Sequence, residues 1–323
     1  MTTKVWVAAA LALAASPSAW ANDSSAALGA GGITLTQSAD IRMASEDLTV
    51  SRDAIRVKYS FVNESGALIT TRVAFPLPEA DMEALSESDV GWPTDDVDNV
   101  VDFHVTVDGR AVKPSLERKA FLKGVDVTDV LTRFGIPISP KAQDAAAVVN
   151  RLSKAQKQEL VTRKLITASD DWTQLLWVVK NTYHWEQTFP ADRPLKVEHT
   201  YRPVVGGHFI SPEPLADEGY RRMFCIDEPT RKGIETRMRQ QGKRDQSTIL
   251  VASVIDYVLT TGKNWKGPIG SFKLTLNKGR ADNIISFCMD GVKKTGPTTF
   301  EVEKRDFEPE ADLKVLIVGT PTN

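Results

Sequence analysis

The chain has 323 residues, with 40 Lys and Arg against 42 Asp and Glu, a formal net charge of −2. A near-neutral balance lacks the basic excess that displaces counterions from a polyanion, so nucleic acid is not an expected partner. The length suits one large or two ordinary domains, taking about 150 residues per domain.

Met1 and the lone cation Lys4 lead into Val5, Trp6, Val7 and a Leu/Ala run that reaches Ala15, the layout of a secretory signal peptide. Ser16, Pro17 and Ser18 end that run well short of the roughly 20 apolar residues a spanning helix needs. The expectation is therefore a cleaved leader and no transmembrane anchor after cleavage. Ala19 and Ala21 occupy the two small-residue positions read by a signal peptidase, which predicts cleavage before Asn22. Loss of the leader removes one cation and leaves the balance slightly acidic. A soluble periplasmic or secreted product is expected.

The segment 33–78 reads as strands. Ile41, Met43 and Leu48 to Val50 precede Ile55, Val57, Tyr59 and Phe61, which alternate with Arg56, Lys58 and Ser60. A period of two sends one face to a core and the other to water. Asn63 to Gly66 supply turn chemistry, and Ile69, Thr71, Val73 and Phe75 resume the alternation, so a hairpin is expected. Val101, Phe103, Val105 and Val107 alternate up to Asp108-Gly109, a dipeptide suited to a type I′ turn. Ala111 to Leu122 can return from it.

From Ser139 the period changes. Ser139 is placed to cap a helix that begins at Pro140, and Ser153 with Gln156 has the pattern of a capping box. A helical segment is expected over 139–170, between an N-terminal β-rich domain, 22–138, and a C-terminal one, 171–323. In the latter, Trp177, Val179, Tyr183 and Trp185 share one parity, and Val197, His199 and Tyr201 follow the turn at 189–194. Those aromatic residues are expected in a core. Pro229 can open a helix running to Gly242, and Thr248 to Leu259 suits a buried strand. Phe272 to Leu276, Phe300 to Arg305 and Leu313 to Val318 complete about a dozen strands. The missing βαβ alternation favours a mainly β, β-sandwich-like and mostly antiparallel fold.

Cys225 and Cys288 enclose a loop of 63 residues. Export would carry them to an oxidising compartment, where one disulfide between them is expected, worth about 4 kcal/mol in the chain-entropy treatment. Two buried free thiols are the alternative.

Several segments together resemble one family. They are Asn22-Asp23-Ser24-Ser25, Ser45-Glu46-Asp47-Leu48, Val73-Ala74-Phe75-Pro76-Leu77-Pro78 and Trp185-Glu186-Gln187-Thr188-Phe189-Pro190. To these add Val197-Glu198-His199 with Tyr201-Arg202-Pro203, Val258-Leu259-Thr260-Thr261-Gly262 with Asn264-Trp265, Gly267-Pro268-Ile269-Gly270 and Ser286-Phe287-Cys288. In these the chain resembles the bacterial exported family known as domain of unknown function 4424. The resemblance implies export and a β-rich module; it implies no catalytic residue.

Chemistry-bearing residues are few. Pairing the strands on either side of 190–194 as a hairpin would set His184 against His199 with Glu186 on the same face. Two imidazoles and a carboxylate so placed would hold Zn²⁺ and leave a position for water, the basis of a metal-assisted hydrolase. His104 falls on the polar parity of its strand and is expected in solvent. Asp95, Asp96 and Asp98 follow Gly91-Trp92-Pro93 as a solvated acidic loop, where weak calcium binding is the other reading. The nucleophile-elbow, zincin and phosphate-loop patterns are absent from the sequence. The leading expectation is a non-enzymatic binding or interaction module of the periplasm or cell exterior. Its partner would be a protein or an envelope ligand, with no cofactor required. The hydrolase is the alternative, and an envelope-stress or assembly factor a third reading.

Overall fold

The computed structural model describes residues 22–29, 32–86, 90–168, 173–191, 193–244 and 250–320. The expected leader, 1–21, and Ala30-Gly31 lie outside the described residues. What is described is mainly β, in three principal sheets with helices on two flanks.

The first sheet is antiparallel throughout. Ser115–Leu122, Val178–Phe189, Ile69–Pro76, Ser24–Gly29 and Gly32–Thr36 follow one another across it, with short strands Val125–Asp126 and Ala80–Asp81 at its margin. The second runs in the order Thr299–Phe307, Ile269–Asn277, Ile41–Val50, Ile55–Asn63, Leu195–Tyr201, His104–Val107 and Arg110–Val112, with Lys293–Lys294 beside Thr299–Phe307. Its pairings are antiparallel except for that of Ile41–Val50 with Ile269–Asn277. The third contains Gly206–Phe209, Val251–Tyr257, Leu313–Gly319 and Ile284–Phe287.

The alternating strands of all three sheets turn their apolar parity to one shared core. It holds Phe75, Tyr183 and Trp185 from the first sheet, Val57, Phe61 and Val197 from the second, and Ile255, Tyr257 and Val315 from the third. The third sheet is apolar on its other face as well. There Ala252, Leu316 and Val318 pack on Ile234 of the helix Glu228–Arg244 and on Leu215 and Phe224. A separate cluster joins Trp177, Val179 and Ala120 to Ala145, Val149 and Leu160 of the helices Ala142–Arg151 and Lys154–Thr162. The Cys225 and Cys288 sulfurs are bonded, 2.08 Å apart, which ties the helical flank to the edge of the third sheet.

The Asp108-Gly109 hairpin forms as the sequence indicates: both residues have positive φ, 47° and 76°, and Val107 pairs with Arg110. The capping box at Ser153 and Gln156 also forms. Other expectations need correction. Ile55–Asn63 and Ile69–Pro76 are not a hairpin, because the chain crosses from the second sheet to the first between them. Asn63 anchors that crossing, its Nδ2 donating to Ala67 O at 2.7 Å and to Phe189 O at 2.9 Å. The strands flanking 190–194 likewise belong to opposite sheets. The helix expected to start at Pro140 starts at Ala142, since the Ser139 hydroxyl donates to Asp144 at 2.6 Å and accepts from Lys141 N instead of capping a first turn. The helical segment stops at Thr162, and Ile166–Ala168 pairs as a strand with Thr173–Leu175. Finally, a division into 22–138 and 171–323 would cut both large sheets, because Ile69–Pro76 pairs with Val178–Phe189 and Ile55–Asn63 with Leu195–Tyr201.

Candidate functional site

Two neighbouring features stand apart from ordinary packing, a chain of polar groups inside the core and an apolar cleft beside it. The polar chain begins at Asn22 and Asp23, which have no exposed surface. Their backbone is held from the turn Thr260–Asn264 and just beyond. Thr261 Oγ1 donates to Asn22 O at 2.8 Å, Trp265 Nε1 to Asp23 O at 2.7 Å, and Asn264 Nδ2 to Ser24 Oγ at 2.8 Å. The Asn22 side chain donates to Glu46 Oε2 at 3.1 Å and accepts from the Tyr59 hydroxyl. The Tyr59 and Tyr257 hydroxyl oxygens lie 3.1 Å apart, and Tyr257 donates to Glu46 Oε1 at 3.4 Å.

His199 stands at the other end, its Nε2 3.5 Å from Asp23 Oδ2. The edges and faces of Phe75, Phe103, Tyr59 and Trp185 surround the ring, with centroids 4.9 to 5.5 Å away. Burial drives the imidazole down to about 3, so it is neutral. Burial, with the charge of Glu46 adding to it, holds Asp23 well above the usual carboxylate range. Burial pushes Glu46 up to about 8, against the lowering effect of its bonds from Asn22 and Tyr257. Among the described residues, neither carboxylate oxygen of Asp23 has a hydrogen-bond partner, nor does either His199 nitrogen.

The cleft, about 180 Å³, opens where the three sheets meet. Leu77, Val101, Trp92 and Val254 give it apolar walls, Tyr201 and Asn181 contribute polar groups, and Glu79 and Asp256 stand at it paired with Lys180 and Lys314. Arg118 Nε donates to Asn181 Oδ1 at 2.7 Å, which fixes that amide. Three cations fasten the loop that carries Trp92 through its carbonyls: Arg202 Nη1 on Pro93 O at 2.7 Å, Lys141 Nζ on Thr94 O at 3.0 Å, and Arg118 on Val97 O. Tyr201 is buried at the end of its strand, and among the described residues its hydroxyl has no partner. The two features adjoin: burial first, then the charge of Glu46, keeps the Tyr257 hydroxyl protonated, and the Tyr201 phenol adds to both.

The structure does not gather His184, Glu186 and His199. The first two lie on the outer face of the first sheet, where Arg72 Nη1 donates to His184 Nδ1 at 2.8 Å and Nη2 sits 3.9 Å from Glu186. His199 faces inward from the second sheet, so the zinc set has no common centre, and among the described residues no cluster of His, Cys, Asp and Glu is arranged to hold a metal. Asp95, Asp96 and Asp98 are exposed on the loop, with Asp95 3.6 Å from Lys141, and do not converge for calcium. His104 is exposed and bonds Asp102 at 2.9 Å; His208 lies 3.1 Å from the Tyr220 hydroxyl.

Sequence reasoning misses Glu46 and Asp23, although one signal is readable. Glu46 shares the parity of Leu48 and Val50, an acid on an apolar face. It is hidden because a bulge between Met43 and Ser45 shifts the parity set by Ile41 and Met43.

A mainly β protein of three sheets around an apolar core that encloses a chain of polar groups is thus the class that the fold defines. The family described as "Domain of unknown function (DUF4424)" matches residues 21–316, and the chain belongs to it. No curated protein matches the chain. Among solved structures, a Legionella pneumophila protein described as a "putative nutrient binding protein" is 14% identical, with a TM-score of 0.46, over 93% of this chain and 70% of that one. A likeness that distant carries no argument about function. No helix among the described residues is long and apolar enough to cross a membrane.

Proposed function

We propose that this protein is a non-enzymatic binding module of the bacterial periplasm or cell exterior, exported by a leader removed before Asn22. Its ligand is small and mostly apolar, carries one hydrogen-bond acceptor, and occupies the cleft at Tyr201. The observation that carries this reading is Tyr201, a residue that lines the cleft and whose buried hydroxyl has no partner among the described residues. An unmade hydrogen bond of that kind costs about 1–3 kcal/mol, and a ligand acceptor would offset it. Apolar walls with a few fixed polar groups are the general make-up of a small-molecule site. The ionisable groups of the interior, His199, Asp23 and Glu46, are closed off from solvent, so their chemistry serves the fold.

The test starts with protein exported under its own leader and purified without added ligand. Native and denaturing masses are compared, and any small molecule released on denaturation is identified and titrated back. Tyr201→Phe is expected to weaken binding by about fivefold to tenfold, the worth of one neutral hydrogen bond. Val254→Trp, which fills the cleft, is expected to abolish it with the melting temperature kept. Equal affinity of both variants and the parent would overturn the site. Failure of every small-molecule fraction of envelope extract to bind or to raise the melting temperature would overturn the function.

A further inference from the structure

Two carboxylates and no cation occupy the described interior around Asn22. A lone buried carboxylate is costly, and a second one nearby adds repulsion. Asp23 and Glu46 repel each other here, and His199, 3.5 Å from Asp23, is held neutral by burial among aromatic rings. Arginine and lysine take no part in the hydrogen bonds of the cluster, which come from Asn22, Tyr59, Tyr257, Thr261 and Trp265.

Asn22 is the one group in this cluster that cleavage would change. Its side chain reaches Glu46 at 3.1 Å, its carbonyl accepts from Thr261, and the residue has no exposed surface, so the chain after cleavage would begin inside this space. In the precursor that nitrogen is a neutral amide. Hydrolysis of the Ala21–Asn22 peptide bond consumes one water, leaves a carboxylate on Ala21 with the departing leader and frees the Asn22 amine, which takes up a proton near neutral pH.

We propose that the α-ammonium of Asn22, created by leader removal, is the missing cation of this interior and pairs there with Glu46, locking the N-terminal segment against the Thr260–Asn264 turn. The proton count then closes: Glu46 is ionised against the ammonium while accepting from Asn22 Nδ2 and Tyr257, and Asp23 keeps its proton beside the neutral Nε2 of His199. Processing thus completes the fold as well as releasing the chain. This inference rests on the cleavage position proposed above.

The test uses the full protein exported under its own leader. Intact mass gives the first residue, and amine-directed reductive methylation of the native protein, read by peptide mass, gives the reactivity of the Asn22 amine against exposed lysines. The expected result is a chain starting at Asn22 whose α-amine reacts at least about tenfold more slowly in the native state than in denaturant, as a group exposed only by local opening does. A Gly inserted between Ala21 and Asn22 moves the ammonium one residue along. It is expected to lower the urea midpoint of the secreted protein, and Glu46→Gln is expected to lower it less in that background than in the parent. A chain starting elsewhere would overturn the cleavage position, and this inference with it. A chain starting at Asn22 with an amine that methylates as fast as in denaturant would overturn the inference alone. So would an inserted Gly whose effect is the same with and without the Glu46→Gln substitution, and the labelling result stands even if the inserted chain fails to fold.

Discussion

His199 shows how a single ring can set a pH limit on the whole fold. Its surroundings are aromatic on four sides, and its folded value of about 3 lies below the ordinary 6.5. The unfolded chain therefore binds this proton near 6.5 while the native chain still refuses it. The stabilisation is fully present above 6.5 and is lost as pH falls toward 3. Urea midpoints measured from pH 7 to pH 4 should drop for the parent, and the drop should be shallower in His199→Leu. Parallel slopes for the two proteins would remove His199 from the account. Parity made the inward position of this residue readable, since Val197, His199 and Tyr201 share a face. Parity says nothing of which strand lies opposite, and the supposed zinc partners proved to be on the far side of another sheet.

At the level of elements the same distinction recurs. Alternation identifies the buried face of a strand, and a sandwich offers that face to a core shared by both sheets. Ile55–Asn63 and Ile69–Pro76 present their alternation whether they pair with each other or sit across the core, so the sequence reads equally well as a hairpin or as an arch. Turn chemistry separated the cases only where it was specific, at Asp108-Gly109. The capping box at Ser153 was readable for the same reason, because it is a local hydrogen-bond pattern that needs no distant partner. One close approach follows from pairing alone. Gly270 opens the parallel contact between Ile269–Asn277 and Ile41–Val50, and a Cβ there would stand 2.8 Å from Ala44 O. Backbone cannot swing aside as a side chain does, so Gly270→Ala should destabilise by about 1–3 kcal/mol through overpacking, measured as a lowered urea midpoint with unchanged slope. An unchanged midpoint would mean that the Ala44 bulge relaxes freely.

For the molecule as a whole, the helical flank is tied to the central core through a short set of contacts. Ile234, Leu215 and Phe224 hold it to Leu316 and Val318, Ser286 Oγ donates to Phe224 O at 2.9 Å, and the Cys225–Cys288 bond closes the arrangement. Replacing both cysteines by Ala should cost up to about 4 kcal/mol by the chain-entropy treatment, seen as a lower melting temperature of the double variant compared with the oxidised parent. If the parent melts no higher than the double variant, the bond contributes nothing beyond the packing around it. The class of fold was legible from strand count and the absence of βαβ alternation. The boundary at 139–170 was misleading because a change of period marks a change of local structure, and long-range pairing passes over it.

The parallel pair at the centre of the second sheet has a kinetic meaning. Ile41–Val50 is made early and Ile269–Asn277 late, and neither side of that junction has its neighbour until both are present. A chain made from its N-terminus therefore presents residues 41–63 long before they can be enclosed. Closing so long a loop is entropically slow, and contacts this distant in sequence place the protein among slow folders. Through that interval the alternating strands of the front half show an unpaired edge and a bare apolar face to whatever surrounds them. A topology of this kind favours any setting in which the front half is kept shielded until the last strands arrive.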